Sequence, residues 1–148
     1  MMIRAASTTD LDEIRVMLRA YAAWLEVDLC FQNFEEELAG LPGEYAAPGG
    51  RLLIAEGAGC VALRRIDDEI CEMKRLYVRP EHRGSGLGRR LVLAIIEQAR
   101  VIGYRRMRLD TMPKMDSAQG LYASLGFRGI APYRYNPEPG ARFLELEL

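Results

Sequence analysis

Apolar residues at three- and four-residue spacing first recur at Leu11, Ile14, Leu18, Tyr21 and Leu25, one face of an amphipathic helix over about residues 10–26. Thr9 and Asp12 approximate a capping box at its start. Residues 3–5 predict a short strand before it. A weaker helix is expected over about residues 32–40, stopped by Gly40 and Pro42, and residues 41–50, with two prolines and three glycines, read as a loop. Alternation then takes over. Strands at 51–56 and 60–66 flank Gly57, Ala58 and Gly59 as a hairpin, and Asp67 and Asp68 turn the chain into a strand at 70–78 that Pro80 ends. A long helix at 87–102 keeps Leu91, Ile95 and Ile102 on its inner side and stops at Gly103. A strand follows at 106–111, then a short helix marked by Ala118, Leu121, Tyr122 and Leu125 and closed by Gly126. Two further strands, 127–135 and 142–148, are joined by a turn-forming stretch with Pro137, Pro139 and Gly140.

The element order is β-α-α-β-β-β-α-β-α-β-β. Its strand-helix-strand unit over 70–111 implies one parallel pair with a right-handed crossover. The other neighbours read as hairpins, so the fold class is α/β (α+β): a mixed, mostly antiparallel sheet with helices on both faces. At 148 residues the chain is one domain, 1–148, able to bury roughly 68–70% of its unfolded surface.

Charge narrows the function. Twenty basic and twenty-one acidic residues give a net charge of −1, so no general grip on nucleic acid or an anionic membrane is expected. No apolar run approaches the ~20 residues that span a bilayer, and the acid-containing N-terminal segment does not read as a secretory signal. Cys30, Cys60 and Cys71 lack close spacing and His82 is the single histidine, which argues against a zinc site and predicts no metal. No G-x-S-x-G elbow accompanies that histidine, so a serine-hydrolase triad is not expected. Reduced thiols in a cytoplasmic protein are the expected state.

The most informative segment is Arg83, Gly84, Ser85, Gly86, Leu87, Gly88, Arg89 and Arg90, between a strand and a long helix. Alternate glycines let backbone approach a bulky anion, and the unpaired amides at the helix start form a cradle for a diphosphate. Arginines add charge beside it. Arg89 occupies the position where the dinucleotide fingerprint needs glycine or alanine, and no Gly-Lys-Ser/Thr ending of a Walker A loop is present. The plain alternative is that the glycines only shape a loop.

Glu72 through Val78 followed by Arg83-Gly84-Ser85-Gly86-Leu87-Gly88 resembles the acetyl-CoA site of the GNAT superfamily of N-acetyltransferases. Its pattern Gln/Arg-x-x-Gly-x-Gly/Ala is met by Arg83, Gly86 and Gly88. Leu121-Tyr122-Ala123-Ser124-Leu125-Gly126-Phe127 is similar to its second motif, and the element order matches nearly the whole chain. The resemblance implies acetyl-CoA as co-substrate, its pyrophosphate on the amides of residues 84–89 and its pantetheine arm along Leu76 and Val78, in a slot where the central parallel strands splay apart. It also implies the Leu76 N–H as oxyanion donor and a homodimer as an assembly the chain can form. Met115 stands where many relatives carry an asparagine that contacts the cofactor.

Acetyl transfer to an amine needs a base, because an ammonium with a pKa near 10.4 costs about 4–5 kcal/mol to deprotonate at pH 7. Glu72 is the candidate base; its plain alternative is a strand residue paired with Lys74 on the same face. Tyr122 is the candidate acid for the departing thiolate, against an alternative of core packing. Cys71 is expected to be a buried, inert thiol and His82 an exposed bystander. The acceptor site is expected among the first two helices and the last hairpin, with Tyr21, Trp24 and Tyr133 as candidate wall residues. Phe31, Phe34 and Tyr135 are further aromatics of those segments; Glu35, Glu36 and Glu37 would attract a cation, and Arg134 a carboxylate. A small amine or amino acid is favoured over a protein as acceptor. A CoA-binding module without turnover is the alternative to an enzyme.

Overall fold

The computed structural model describes residues 2–25 and 33–148. Cys30 and Phe31 lie outside the described residues. Seven strands form one sheet: β1 (Ile3–Ala5), β2 (Arg51–Ala55), β3 (Gly59–Arg65), β4 (Ile70–Val78), β5 (Arg106–Thr111), β6 (Arg128–Ile130) and β7 (Arg142–Glu147), in the order β1-β2-β3-β4-β5-β7-β6. The helices are α1 (Leu11–Leu25), α2 (Phe34–Ala39), α3 (Leu87–Ile102) and α4 (Asp116–Ser124).

Two apolar layers sandwich the sheet. Leu91, Val92, Ile95 and Ala99 of α3 pack on Val61 and Leu63 of β3, Cys71 and Met73 of β4 and Met107 and Leu109 of β5. On the opposite face Ile14, Met17, Leu18 and Tyr21 of α1, with Phe34 and Leu38 of α2, cover Leu52, Ile54, Cys60, Ala62 and Tyr77. The alternating strand residues therefore divide between two cores, as a sheet covered on both sides requires.

The start of α1 rests on residues other than Thr9 and Asp12. The Asp10 carboxylate accepts the Ser7 N–H at 2.7 Å and Arg4 Nη1 at 2.6 Å, while Asp12 pairs with Arg15 at 3.0 Å. The expected strand at 127–135 also shortens to three residues. Pro132 has no N–H to continue a ladder, and the chain leaves the sheet after Ile130. β7 inserts between β5 and β6 instead of merely closing a hairpin at the edge.

The decisive feature is in the middle of the sheet. β4 and β5 are the parallel pair, joined at Ile70–Arg106, Cys71–Met107 and Glu72–Arg108. Their ladder ends there. β4 then bulges against β3: the register passes from Lys74–Ala62 to Tyr77–Cys60, and Arg75 adopts a left-handed φ of 61°. A bulge bends and twists its strand, and the Cys60 thiol donates to the Arg75 carbonyl across it at 3.7 Å. β5 stays paired with β7 to Thr111. The two strands therefore diverge.

Candidate active site

Beside the divergence lies a groove of about 290 Å³. Leu76 and Val78 form one wall, Arg83, Gly84, Gly86, Leu87 and Gly88 form its end, and Tyr21, Trp24 and Met115 also line it. Gly84 and Gly86 have φ values of 80° and 86°, in the region glycine enters without a Cβ penalty. Their bend turns the chain into α3, whose first intrahelical bond runs from the Arg90 N–H to the Gly86 carbonyl at 3.1 Å. The preceding amides have no intrahelical acceptor and sit at the positive end of a sixteen-residue helix. A Cβ at Gly84 or Gly86 would meet no atom within 4 Å, so space for a bulky anion lies over the bend. This donor set suits a diphosphate.

Seven of the nine expected cofactor residues thus meet in one groove. Two do not line it. The Ser85 hydroxyl donates to the His82 carbonyl at 2.6 Å and braces the bend, and Arg89 reaches toward the Ser124 hydroxyl on α4 at 3.4 Å. His82, expected to be exposed, is half-buried and lines the groove. Arg83 donates to the Val78 carbonyl at 3.0 Å, and its guanidinium carbon lies 5.1 Å from the Trp24 ring centre. Lys114 Nζ is 5.4 Å from the same ring. Trp24 therefore faces two cations at the groove.

Between the diverging strands a narrow recess continues inward from the groove. Tyr21, Leu76 and Met115 line both spaces, and Lys74, Asp110 and Tyr122 line the recess alone of the two. Tyr122 is buried, its ring centre 5.5 Å from that of Phe127. Burial first, then the charges of Tyr21 and Asp110, pushes its phenol far up, so it keeps its proton. Tyr21 is pushed up to about 12, chiefly by burial.

Glu72 is wholly buried, and its oxygens already have donors. Arg64 Nε gives a hydrogen bond of 2.7 Å to Oε1, the Tyr133 hydroxyl gives one of 2.5 Å to Oε2, and Arg134 Nε lies 3.4 Å from Oε2. Burial raises this carboxyl, but Lys74, Arg134, Arg64 and Tyr133 together outweigh it and hold it below the usual range. Such a carboxylate is a poor proton acceptor. With its hydroxyl on Glu72, Tyr133 stacks its ring edge-on to Phe143 at 5.3 Å, under Arg108. Because the folded-state value is depressed, the stability Glu72 contributes is present above about pH 4.3 and fades as pH falls. Glu72→Gln turns an amide N–H₂ against one of its donors, and urea unfolding at pH 7 is expected to show a loss of about 1–3 kcal/mol; a loss that persists undiminished at pH 3 would contradict this account.

The run Glu35, Glu36 and Glu37 divides. Glu35 pairs with Arg19 at 3.0 Å and Glu37 with buried Arg75 at 2.8 Å, whose guanidinium lies 5.1 Å from the Phe34 ring centre. Cys71 is buried, its thiol pushed up to about 12 chiefly by desolvation. Tyr135 is exposed. Arg134 donates to the Asp110 carboxylate at 3.1 Å, an internal partner in place of a ligand's carboxylate. Among the recess residues not singled out as candidates from sequence are Lys74 and Asp110. The first shares strand parity with Glu72, a signal available in principle; the second becomes a candidate only once β5 is known to face the recess.

Residues 13–127 match the model of the acetyltransferase (GNAT) family. An uncharacterised N-acetyltransferase of Schizosaccharomyces pombe is 41% identical over 145 residues, covering 94% of this chain and 89% of its own. An acetyltransferase structure from Streptococcus agalactiae superposes with a TM-score of 0.82 at 23% identity, covering 99% of this chain and 98% of that one. A putative acetyltransferase of Salmonella typhimurium, determined with its cofactor acetyl-CoA, superposes with a TM-score of 0.75 at 25% identity, covering 99% and 93%. With the diverging parallel pair and the glycine bend in place, these likenesses establish that the chain belongs to the GNAT family of acetyltransferases.

Proposed function

We propose that the protein moves the acetyl group of acetyl-CoA to the primary amine of a small acceptor by direct attack on the thioester. The observation that carries this is that the glycine bend lines a groove which shares Tyr21, Leu76 and Met115 with the recess at the β4–β5 divergence. The cofactor's pyrophosphate rests on the bend and its pantetheine arm follows β4 past Val78 and Leu76, so that its thioester reaches the recess. There the Leu76 N–H steadies the developing oxyanion, and Tyr122, which lines the recess, supplies a proton to the departing sulfur. Glu72 acts as a fixed anion that positions Arg64, Tyr133 and Arg134, and not as the base.

The test is release of free thiol from acetyl-CoA across a panel of primary amines and amino acids, with CoA binding followed by calorimetry. Acceptor-dependent release is expected; CoA binding without release for any amine would overturn the reading. Tyr122→Phe keeps the ring that packs on Phe127, so CoA affinity should hold within about twofold while kcat falls by about 100-fold. Loss of CoA affinity instead would make the hydroxyl a structural group.

A further inference from the structure

A third opening of about 510 Å³ lies among α2, the turn at Gly43–Tyr45, β3, β4 and the segment before β7. It has one residue in common with the recess between β4 and β5: Lys74, 9% exposed. Groove and recess share Tyr21, Leu76 and Met115, and Lys74 stands between the recess and a space large enough for a small molecule.

The residue type matters at this junction. The chain has eighteen arginines and two lysines, Lys74 and Lys114. A guanidinium keeps its proton throughout the accessible pH range, whereas a buried lysine gives it up readily. The carboxylates nearby already accept other donors: Asp110, in the recess, from Arg134 and Asn136, and Glu72 from Arg64 and Tyr133.

We propose that the acceptor enters through the cavity beside α2 and that Lys74, in its neutral form, takes the proton from the acceptor's ammonium. The proposal rests on the N-acetyltransferase reading above. The Nζ lone pair of Lys74 accepts one proton from the ammonium. The neutral nitrogen then forms the C–N bond at the thioester carbonyl carbon, and the C–S bond breaks with its electron pair on sulfur. Tyr122 protonates that sulfur and is reprotonated by the proton the nitrogen sheds on becoming an amide. Lys74 returns its own proton to water through the cavity, so one ammonium and one thioester give one amide, one thiol and one proton.

Three cations face Lys74: Arg75 on its own strand, Arg64 from β3 and Arg134 from the segment before β7. Glu72, Asp110 from β5 and Glu37 from α2 oppose them. Tyr21 from α1 and Tyr122 from α4 line the recess, Tyr133 lies on Glu72, and Glu36, Glu44 and Tyr45 line the outer cavity. Burial, then Arg75 and Arg134 against Glu72 and Asp110, pushes the Lys74 ammonium down to about 7. A base is most effective when its pKa lies near the working pH.

Two lysines make a direct measurement practical. In protein labelled with ¹³C at lysine Cε, the resonance lost in Lys74→Met should titrate near neutrality; a midpoint above about pH 9, close to an ordinary lysine, overturns the proposal. Lys74→Arg keeps the charge but cannot release the proton. Its kcat/KM at pH 7 should fall by about 10²–10³ with CoA affinity within about twofold, and the loss should shrink for amines already neutral at that pH. Retention of activity within about threefold, with the parent's pH profile, would reduce Lys74 to a fixed cation and overturn the proposal alone. Failure of the parent protein to acetylate any amine would remove the N-acetyltransferase reading and this inference with it.

Discussion

Gly88→Asp should leave the fold intact and abolish CoA binding. An ideal Cβ at Gly88 meets only Val78 Cγ2, at 3.8 Å, which is ordinary contact. The position lies in the first turn of α3, where a carboxylate is favoured by the helix dipole. Gly88 also lines the groove, so the new side chain and its charge would stand where the cofactor's phosphates are proposed to sit. The dissociation constant for CoA should rise by at least about 100-fold, or ~2.7 kcal/mol, while the melting temperature stays level or rises. Gly86 is a poorer test, because its φ of 86° would add backbone strain to the lost affinity. Calorimetry and a thermal melt on the same sample decide the matter, and parent-like affinity in Gly88→Asp would place the phosphates elsewhere.

The largest loss of stability is expected from Arg75→Met. Arg75 is 5% exposed and donates to both oxygens of Glu37, at 2.9 and 2.8 Å. Removing it leaves Glu37 half-buried without its cation, a change that costs about 3–5 kcal/mol. Burial raises the Glu37 carboxyl, but Arg75, helped by Lys74 and Tyr45, more than offsets this and holds it below its usual value. The sign follows: the folded form is depressed, so the pair's contribution is present above about pH 4.3 and is lost as pH falls. Urea unfolding should therefore separate parent from variant widely at pH 7 and narrowly at pH 3. The double variant Arg75→Met/Glu37→Met should recover most of the loss, since an apolar pair of similar volume leaves no buried charge. A cost below about 1 kcal/mol at pH 7 would show that α2 docks by other means. Because Glu37 also lines the cavity beside α2, the acceptor's KM should rise in the single variant.

Most elements were legible in the chain because their signals are local. The spacing of Leu11, Ile14, Leu18 and Tyr21 specifies one buried helix face, and those residues do pack together. Gly84, Gly86 and Gly88 mark a bend whose requirement, backbone without a Cβ beside an anion, is met by residue type alone. The central strands alternate between two cores, as their period-two pattern predicts. Near the C-terminus the local signal fails. Apolar residues at 127–135 look extended, yet Pro132 and the insertion of β7 beside β5 send Tyr133 and Arg134 across the sheet to Glu72 and Asp110.

Residue identity and spacing alone determined the strand, bend and helix order, the alternation that sends Glu72 and Lys74 to one face, and the glycine bend at the start of α3. Tertiary structure decided what surrounds those groups. Whether a carboxylate serves as base or as fixed anion depends on which cations reach it, and besides its strand neighbour Lys74 those that reach Glu72 come from β3 and from a segment some sixty residues away. Lys74 likewise owes its lowered proton affinity to burial and to Arg75 and Arg134, an environment assembled only where β4 bulges against β3, parts from β5 and meets the cavity lined by α2. Desolvation and Coulomb energies depend on distance in space, and separation along the chain does not encode that distance.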